Sequence, residues 1–269
     1  MTIVMPEQAN ARRQRRRRWT VPLLLLVAFA AVVLFVFRRD DAHDTLVRQS
    51  VLKVEVTTQG GNVRINTTPN AGVVLSYRDR YAFFRPEITQ VFEGTTLKVK
   101  IHCGWRPACS SDITITASSD MEIVATATDG SITAEGRSGA MALLTHDGTI
   151  NVTGTAGPLS AKSGAGAVTI SGGKGPVAVT TNSGPVQASA LESPTVDIAT
   201  GTGTIDAGFA KKPQSVSATS LNGTIVLGVP DSSYRLALSS PSTATVRNDT
   251  TASASIKATS QGQVTVSAR

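Results

Sequence analysis

The chain has 269 residues, of which 41% are hydrophobic, 17% charged and only 4% aromatic. This composition is too apolar for a disordered polymer and suits short strands joined by tight turns. The net charge of +7 comes entirely from residues 1–39, with eight arginines and one glutamate, while 18 basic and 18 acidic residues balance from Asp40 onward. The folded part therefore has no electrostatic support for binding DNA or RNA.

The basic run "ARRQRRRRW" (11–19) leads directly into "TVPLLLLVAFAAVVLFVF" (20–37). No charged residue lies between Trp19 and Phe37, and a helix over 19–37 would span about 28 Å, close to the hydrocarbon thickness of a bilayer. A cleaved signal peptide would have a shorter apolar core and a small-x-small site, whereas "FVFRRDD" follows here. The pattern predicts one uncleaved transmembrane helix over 19–37, with Trp19 at the headgroup level and the lipid bilayer as its partner. Six arginines precede the span and two follow it, so residues 1–18 are expected as a basic cytoplasmic tail. Residues 40–269 are then extracytoplasmic, on the outer side of a cell membrane. Nuclear targeting or nucleic-acid binding is the rival reading of the arginine run, and direct abutment to the apolar span favours topology.

Residues 38–50 read as a short polar linker. Residues 51–118 read as a membrane-proximal β module, with alternating runs such as "VLKVEV", "GVVLSY" and "TLKVKIH". Its two cysteines, Cys103 and Cys109, are the only ones in the chain and predict a disulfide closing a small loop. Their spacing, even with His102 nearby, matches no zinc signature. In "SYRDRYAFFRPE" (76–87) arginines interleave with aromatics. Arg78, Arg80, Tyr81, Phe84 and Arg85, together with Trp105, form a candidate ligand patch of the kind that stacks on sugars or grips anionic polymers. The same aromatics also read as the core of the 51–118 module.

From Asp129 a nine-residue phrase takes over, with apolar residues two and four places after each anchor glycine. Gly130 precedes Ile132 and Ala134, Gly148 precedes Ile150 and Val152, and Gly166 precedes Val168 and Ile170. The intervening anchors Gly139, Gly157 and Gly175 follow the same rule, and the step loosens slightly after Gly184. One five-residue strand cannot bury its apolar face alone, but two units can form opposite walls, and stacked pairs extend both sheets. The expected fold is all-β: a flattened β-solenoid over 119–228, with about 18 residues and two strands per coil, and glycines supplying positive-φ corners. β caps are expected at its ends, with 229–269 as the C-terminal cap.

The repeat, with its T-x-x-G-x-[IV] rhythm, the Cys loop and the "SLNGTIVLGVPDSSYRLAL" ending together resemble the bacterial "putative adhesin" β-strand-repeat family, a domain of unknown function. The resemblance covers about residues 50–269. It implies a membrane-tethered surface or envelope protein and carries over no active-site residues.

Residue chemistry points the same way. The period predicts outward columns Thr133–Asn151–Thr169–Gln187–Asp206–Val226 on one wall and Ala142–Ser160–Ala178–Asp197–Ser217 on the other. Each column has a single carboxylate, where sugar-chain hydrolysis generally uses two. Asp129 and Asp147 stack 18 residues apart and read either as a cation site or as Asp-Gly turns. No catalytic, metal or cofactor set is expected. The leading expectation is a non-enzymatic, single-pass envelope scaffold that is adhesin-like and binds a cell-wall or surface polymer or an envelope protein. An envelope-sensing protein acting through a partner is the alternative, and a β-helical polysaccharide enzyme is the third reading.

Overall fold

Residues that alternate apolar and polar over five positions and then meet glycine form half-buried strands closed by tight turns. The computed structural model is built almost wholly from such units. It describes residues 27–28, 32, 39–47, 50–69, 72–104, 109–239 and 241–269. Of the stretch 19–37 read as a membrane span, only Val27, Ala28 and Val32 are described, all three helical; the rest lies outside the described residues, as does the tail 1–18. No helix among the described residues is long and apolar enough to cross a membrane.

The N-terminal strands are β1 (Arg39–Val47), β2 (Lys53–Thr58), β3 (Val63–Thr68), β4 (Val73–Tyr81), β5 (Glu87–Glu93), β6 (Thr96–His102) and β7 (Ser110–Ser118). The repeat supplies β8 (Glu122–Ala127), β9 (Ile132–Glu135), β10 (Met141–Thr145), β11 (Ile150–Thr155), β12 (Leu159–Ser163) and β13 (Val168–Gly173). It continues through β14 (Val177–Thr181), β15 (Val186–Leu191), β16 (Thr195–Thr200), β17 (Ile205–Phe209), β18 (Ser215–Ser220) and β19 (Ile225–Val229). The C-terminal strands are β20 (Ser233–Leu238), β21 (Ser242–Ala244), β22 (Arg247–Asn248), β23 (Ser255–Ser260) and β24 (Val264–Ala268).

These strands form two twelve-stranded sheets of mixed direction, an all-β fold. Through the repeat the chain alternates between the sheets, so odd strands from β9 to β19 share one and even strands from β8 to β18 the other. Neighbours pair in parallel: Ile132 opposes Ile150, which opposes Val168, and Met141 opposes Leu159, which opposes Val177. The offset is the predicted 18 residues there, and both outward columns named above fall in register. Each inward pair, from Ile132 and Ala134 to Ile225 and Leu227, is buried in one core shared by the two sheets.

The anchor glycines do a different job from the one expected of them. Gly130, Gly148, Gly166 and Gly184 lie outside the left-handed region. They are glycines because the rungs touch: a Cβ on Gly148 would stand 2.0 Å from the Gly130 carbonyl oxygen, and one on Gly166 only 1.8 Å from that of Gly148. Positive φ falls instead on Gly136, Gly154 and Gly172, and then on Ala190 (φ 53), 18 residues further on. The register slips there, between Ala188 and Leu191.

The T-x-x-G rhythm has a hydrogen-bonding basis. The Thr145 hydroxyl donates to the Gly130 carbonyl (3.0 Å) and accepts from the Gly148 amide (3.0 Å). Thr200 repeats this with Gly184 and Gly203, and Ser220 with Gly203 and Gly223. One buried hydroxyl thus satisfies a donor and an acceptor that the turn hides from water.

At both ends stacking order departs from chain order. β2 and β3 sit between the later pair β6 and β7 and the still later β8 and β9. At the C-terminal end β23 and β24 continue the register, Ile256 against Val216 and Val264 against Ile225, while β20 to β22 lie outside them. The stretch expected as a polar linker carries β1, which pairs antiparallel with β4, Arg39 against Tyr81 through Val47 against Val73. Alternation in "RDDAHDTLV" is weak, and the strand forms because the edge of β4 offers unpaired backbone groups.

A buried cation secures the N-terminal rearrangement. Arg137, in the turn after β9, is only 1% exposed. Its guanidinium donates to the carbonyls of Ala117 (3.2 Å) and Ser118 (2.6 Å), at the end of β7, and of Met121 (2.7 Å), in the connection to β8 that passes the rung of β2 and β3. Burial lowers its pKa and the charge of Asp120 opposes that shift.

Two expectations follow. In thermal or urea unfolding, Gly148→Ala is destabilised well beyond Gly154→Ala, which loses about 1 kcal/mol, while Ala190→Gly gains about 1 kcal/mol by relieving a left-handed alanine. Arg137→Met removes the guanidinium from three carbonyls, of which that of Ser118 keeps the Met121 amide (3.3 Å), and costs about 3 kcal/mol, with Arg137→Lys intermediate in the same assay.

Candidate functional site

The 76–87 segment ends β4 and turns to the other sheet, and its alternation sorts its side chains. Tyr77, Asp79 and Tyr81 point inward and are buried, Arg78 points outward and is exposed, and Arg80, also outward, is half-buried. Inside, the Tyr77 hydroxyl accepts from Gln90 Nε2 (2.9 Å), its ring stacks on His43 with centroids 4.9 Å apart, and burial pushes its pKa up to about 12. Asp79 accepts a 2.5 Å hydrogen bond from the Ser111 hydroxyl and has His43 Nδ1 3.8 Å away. The carboxylate thus stands between the serine and the histidine, the reverse of the order in which a histidine takes a serine proton.

Where β4 ends, alternation ends too. Phe83 and Phe84 are exposed on the loop 82–86. Arg85 ties that loop to β1: its Nη2 donates to Asp41 Oδ2 (2.6 Å), its Nε donates to the Tyr81 hydroxyl (2.8 Å), and that hydroxyl donates to the same Asp41 oxygen (2.6 Å). The Tyr81 hydrogen bond, with Arg85 beside it, holds the Asp41 carboxyl below its ordinary 3.8. Cys103 and Cys109 form a disulfide with Cα atoms 5.7 Å apart, closing the β6–β7 loop beside this corner, where Ser110 opposes Arg80. Trp105 lies outside the described residues. The structure therefore gathers Tyr81, Phe84 and Arg85 at one corner, with Arg80 alongside, and places Arg78 on the adjoining sheet face.

That face holds a recess the sequence did not single out. About 410 Å³ in volume, it is lined by Asp44, Asn62, Arg64, Ser76, Arg78 and Thr114 among others. Asp112 beneath is already engaged: Arg80 pairs with it, and the backbone amide of Asn62 donates to its Oδ1 (2.7 Å). Among the described residues Arg64 and Arg78 form no ion pair, so two guanidinium groups share one hollow with the carboxylates of Asp44 and Asp112 and the hydroxyls of Ser76 and Thr114. The alternation of "NVRIN" and "SYRDRY" marks both arginines as outward; only the pairing of β3 and β4 on either side of β7 brings them together. Asp129 and Asp147 are exposed turn residues, the latter 3.0 Å from His146 Nδ1, and no group of three metal-ligating side chains occurs among the described residues.

No protein-family profile and no curated protein matches the sequence. Among solved structures the fold is similar to a "putative adhesin" from Bacteroides fragilis, with a TM-score of 0.57 at 16% identity over 86% of this chain and 97% of that one. A second "putative adhesin", from Parabacteroides distasonis, gives 0.48 at 12% identity over 85% and 97%. At such identities the likeness concerns the fold alone.

The Asp41 clamp predicts a pH dependence. Because its folded pKa is depressed, its contribution is present above the ordinary value of 3.8 and is lost as pH falls through the folded value. Amide exchange of β1, corrected for intrinsic rates, should rise below that pH in the wild type relative to Asp41→Asn, which should show a weaker clamp at neutral pH and less acid dependence.

Proposed function

We propose that the protein is a bacterial envelope scaffold, anchored in the membrane through residues 19–37, whose extracytoplasmic part is a flattened β-solenoid with a non-enzymatic, adhesin-like role. The observation that carries the reading is the outward face of the first sheet, where Arg64, Thr133, Asn151, Thr169, Gln187 and Asp206 follow one another in register. Neighbouring strands lie about 4.8 Å apart, so this row offers an extended polymer a hydrogen-bonding group at each step, and it begins at the arginine recess. The fold likeness to the Bacteroides protein supports the scaffold reading. The arginine run against a 19-residue uncharged stretch supports the anchor. A cell-wall or surface polymer is the partner, its polar or anionic groups met in the recess by Arg64 and Arg78.

The test is co-sedimentation of residues 39–269, which contain the whole hydrophobic core, with cell-envelope fragments. Saturable, salt-sensitive pelleting is expected. Arg64→Ser/Arg78→Ser should weaken it roughly five- to thirtyfold, since exposed ion pairs contribute about 0.5–1 kcal/mol each. Absence of pelleting would overturn the adhesin-like reading.

A further inference from the structure

We propose that the loop 82–86 is a second membrane contact, seating the N-terminal end of the stack in the headgroup region of the bilayer through Phe83 and Phe84. The inference rests on the membrane-anchor reading above.

Exposure, reach and rigidity carry it. Phe83 is 54% and Phe84 64% exposed. From residue 39 onward eight large hydrophobic side chains are exposed among the described residues, and six of them (Leu46, Leu52, Phe83, Phe84, Val91 and Phe92) belong to this end of the stack; only Leu144 and Leu221 lie elsewhere. Apolar surface gathers at this end, and of the six only Phe83 and Phe84 stand together on the loop that follows Tyr81, while Leu46 lies at the far end of β1 opposite Val74.

The covalent chain says which contact. β1 begins two residues after Phe37, the last residue of the apolar stretch, and its first residue, Arg39, opposes Tyr81. Two residues of chain reach about 7 Å and antiparallel partners stand about 5 Å apart, so the Tyr81 Cα lies within about 13 Å of that of Phe37. Each headgroup layer is itself roughly 5–8 Å thick, and the phenylalanines continue past β1 toward the end where the chain enters it. Phenylalanine, with tryptophan and leucine, supplies the apolar face by which interfacial segments enter that layer.

The loop is also held in place before it meets lipid. Arg85 and Tyr81 both bond Asp41, two residues beyond the start of β1, so docking demands little further ordering. Exposed Asp40 and Asp44 keep the rest of β1 in water, which confines the contact to the loop.

The experiment uses the full chain in nanodiscs of phosphatidylethanolamine and phosphatidylglycerol. A nitroxide is placed on Phe84→Cys, or on Ser171→Cys in the repeat as reference, while the native cysteines remain in their disulfide. Both positions are exposed, so neither change disturbs the core. The label at 84 is expected to lose collisions with an aqueous nickel chelate relative to that at 171, and to gain collisions with oxygen. A label at 84 that meets nickel as freely as the reference, in chains the bilayer retains through a carbonate wash, overturns this proposal and leaves the anchor standing. Chains stripped by carbonate overturn both.

Discussion

At one edge of the stack the carbonyl oxygen of an anchor glycine points into the space where a side chain of the next rung would begin, and a buried threonine or serine hydroxyl bridges the two backbones. Between Gly130 and Gly148 that space is closed to even a methyl group. The hydrogen bonds of the parallel ladders set how closely successive rungs approach, about 4.8 Å, and at the turn that spacing leaves room for glycine alone. With the turns locked in depth, each strand meets its neighbour without slip, and every inward residue falls on an inward residue. Cooperation is then unavoidable, because a single rung has neither the buried area nor the satisfied turn to stand alone. The later loosening, at Ala190 and beyond, occurs where the left-handed position loses its glycine and the register shifts.

A stack built this way has two open ends, and exposed sheet edges invite pairing with other chains. Here the ends are closed by breaking the repeat's own order. Strands from either side are slotted inward, short strands such as β21 and β22 lie outermost at one end, and an acidic antiparallel strand lies outermost in one sheet at the other. At the N-terminal crossover Arg137 donates to the carbonyls of Ala117, Ser118 and Met121 where the chain leaves β7 for β8. A buried guanidinium is an expensive way to satisfy carbonyls, and it is used where the regular ladder has been interrupted.

The two ends and the middle consequently differ in chemistry. Through the repeat the outward rows carry mostly small or polar side chains, with Leu144 and Val226 among them. At the N-terminal end the arginine recess and the exposed phenylalanines sit within a few strands of each other, the first on the sheet face and the second on the corner where β1 begins.

Much of this was legible in the residues. A nine-residue period with apolar positions two and four places after glycine determined the inward set, the parallel pairing at an 18-residue offset and the outward columns, because each unit faces the same local burial problem. The proximity of Cys103 and Cys109 was equally local. What the period could not decide lies where pairing is non-local. That β2 and β3 would sit beneath β6 and β7, that residues 39–47 would find a strand edge, and that Arg137 would be buried all depend on which distant edge is free to pair. The glycines divide in the same way: their spacing was in the sequence, but whether each answers to φ or to a carbonyl one rung away was settled only by stacking. So it was with the aromatics of 77–84. Alternation buries Tyr77 and Tyr81 while β4 lasts, and Phe83 and Phe84 are left outside because tertiary pairing ends that strand at Tyr81.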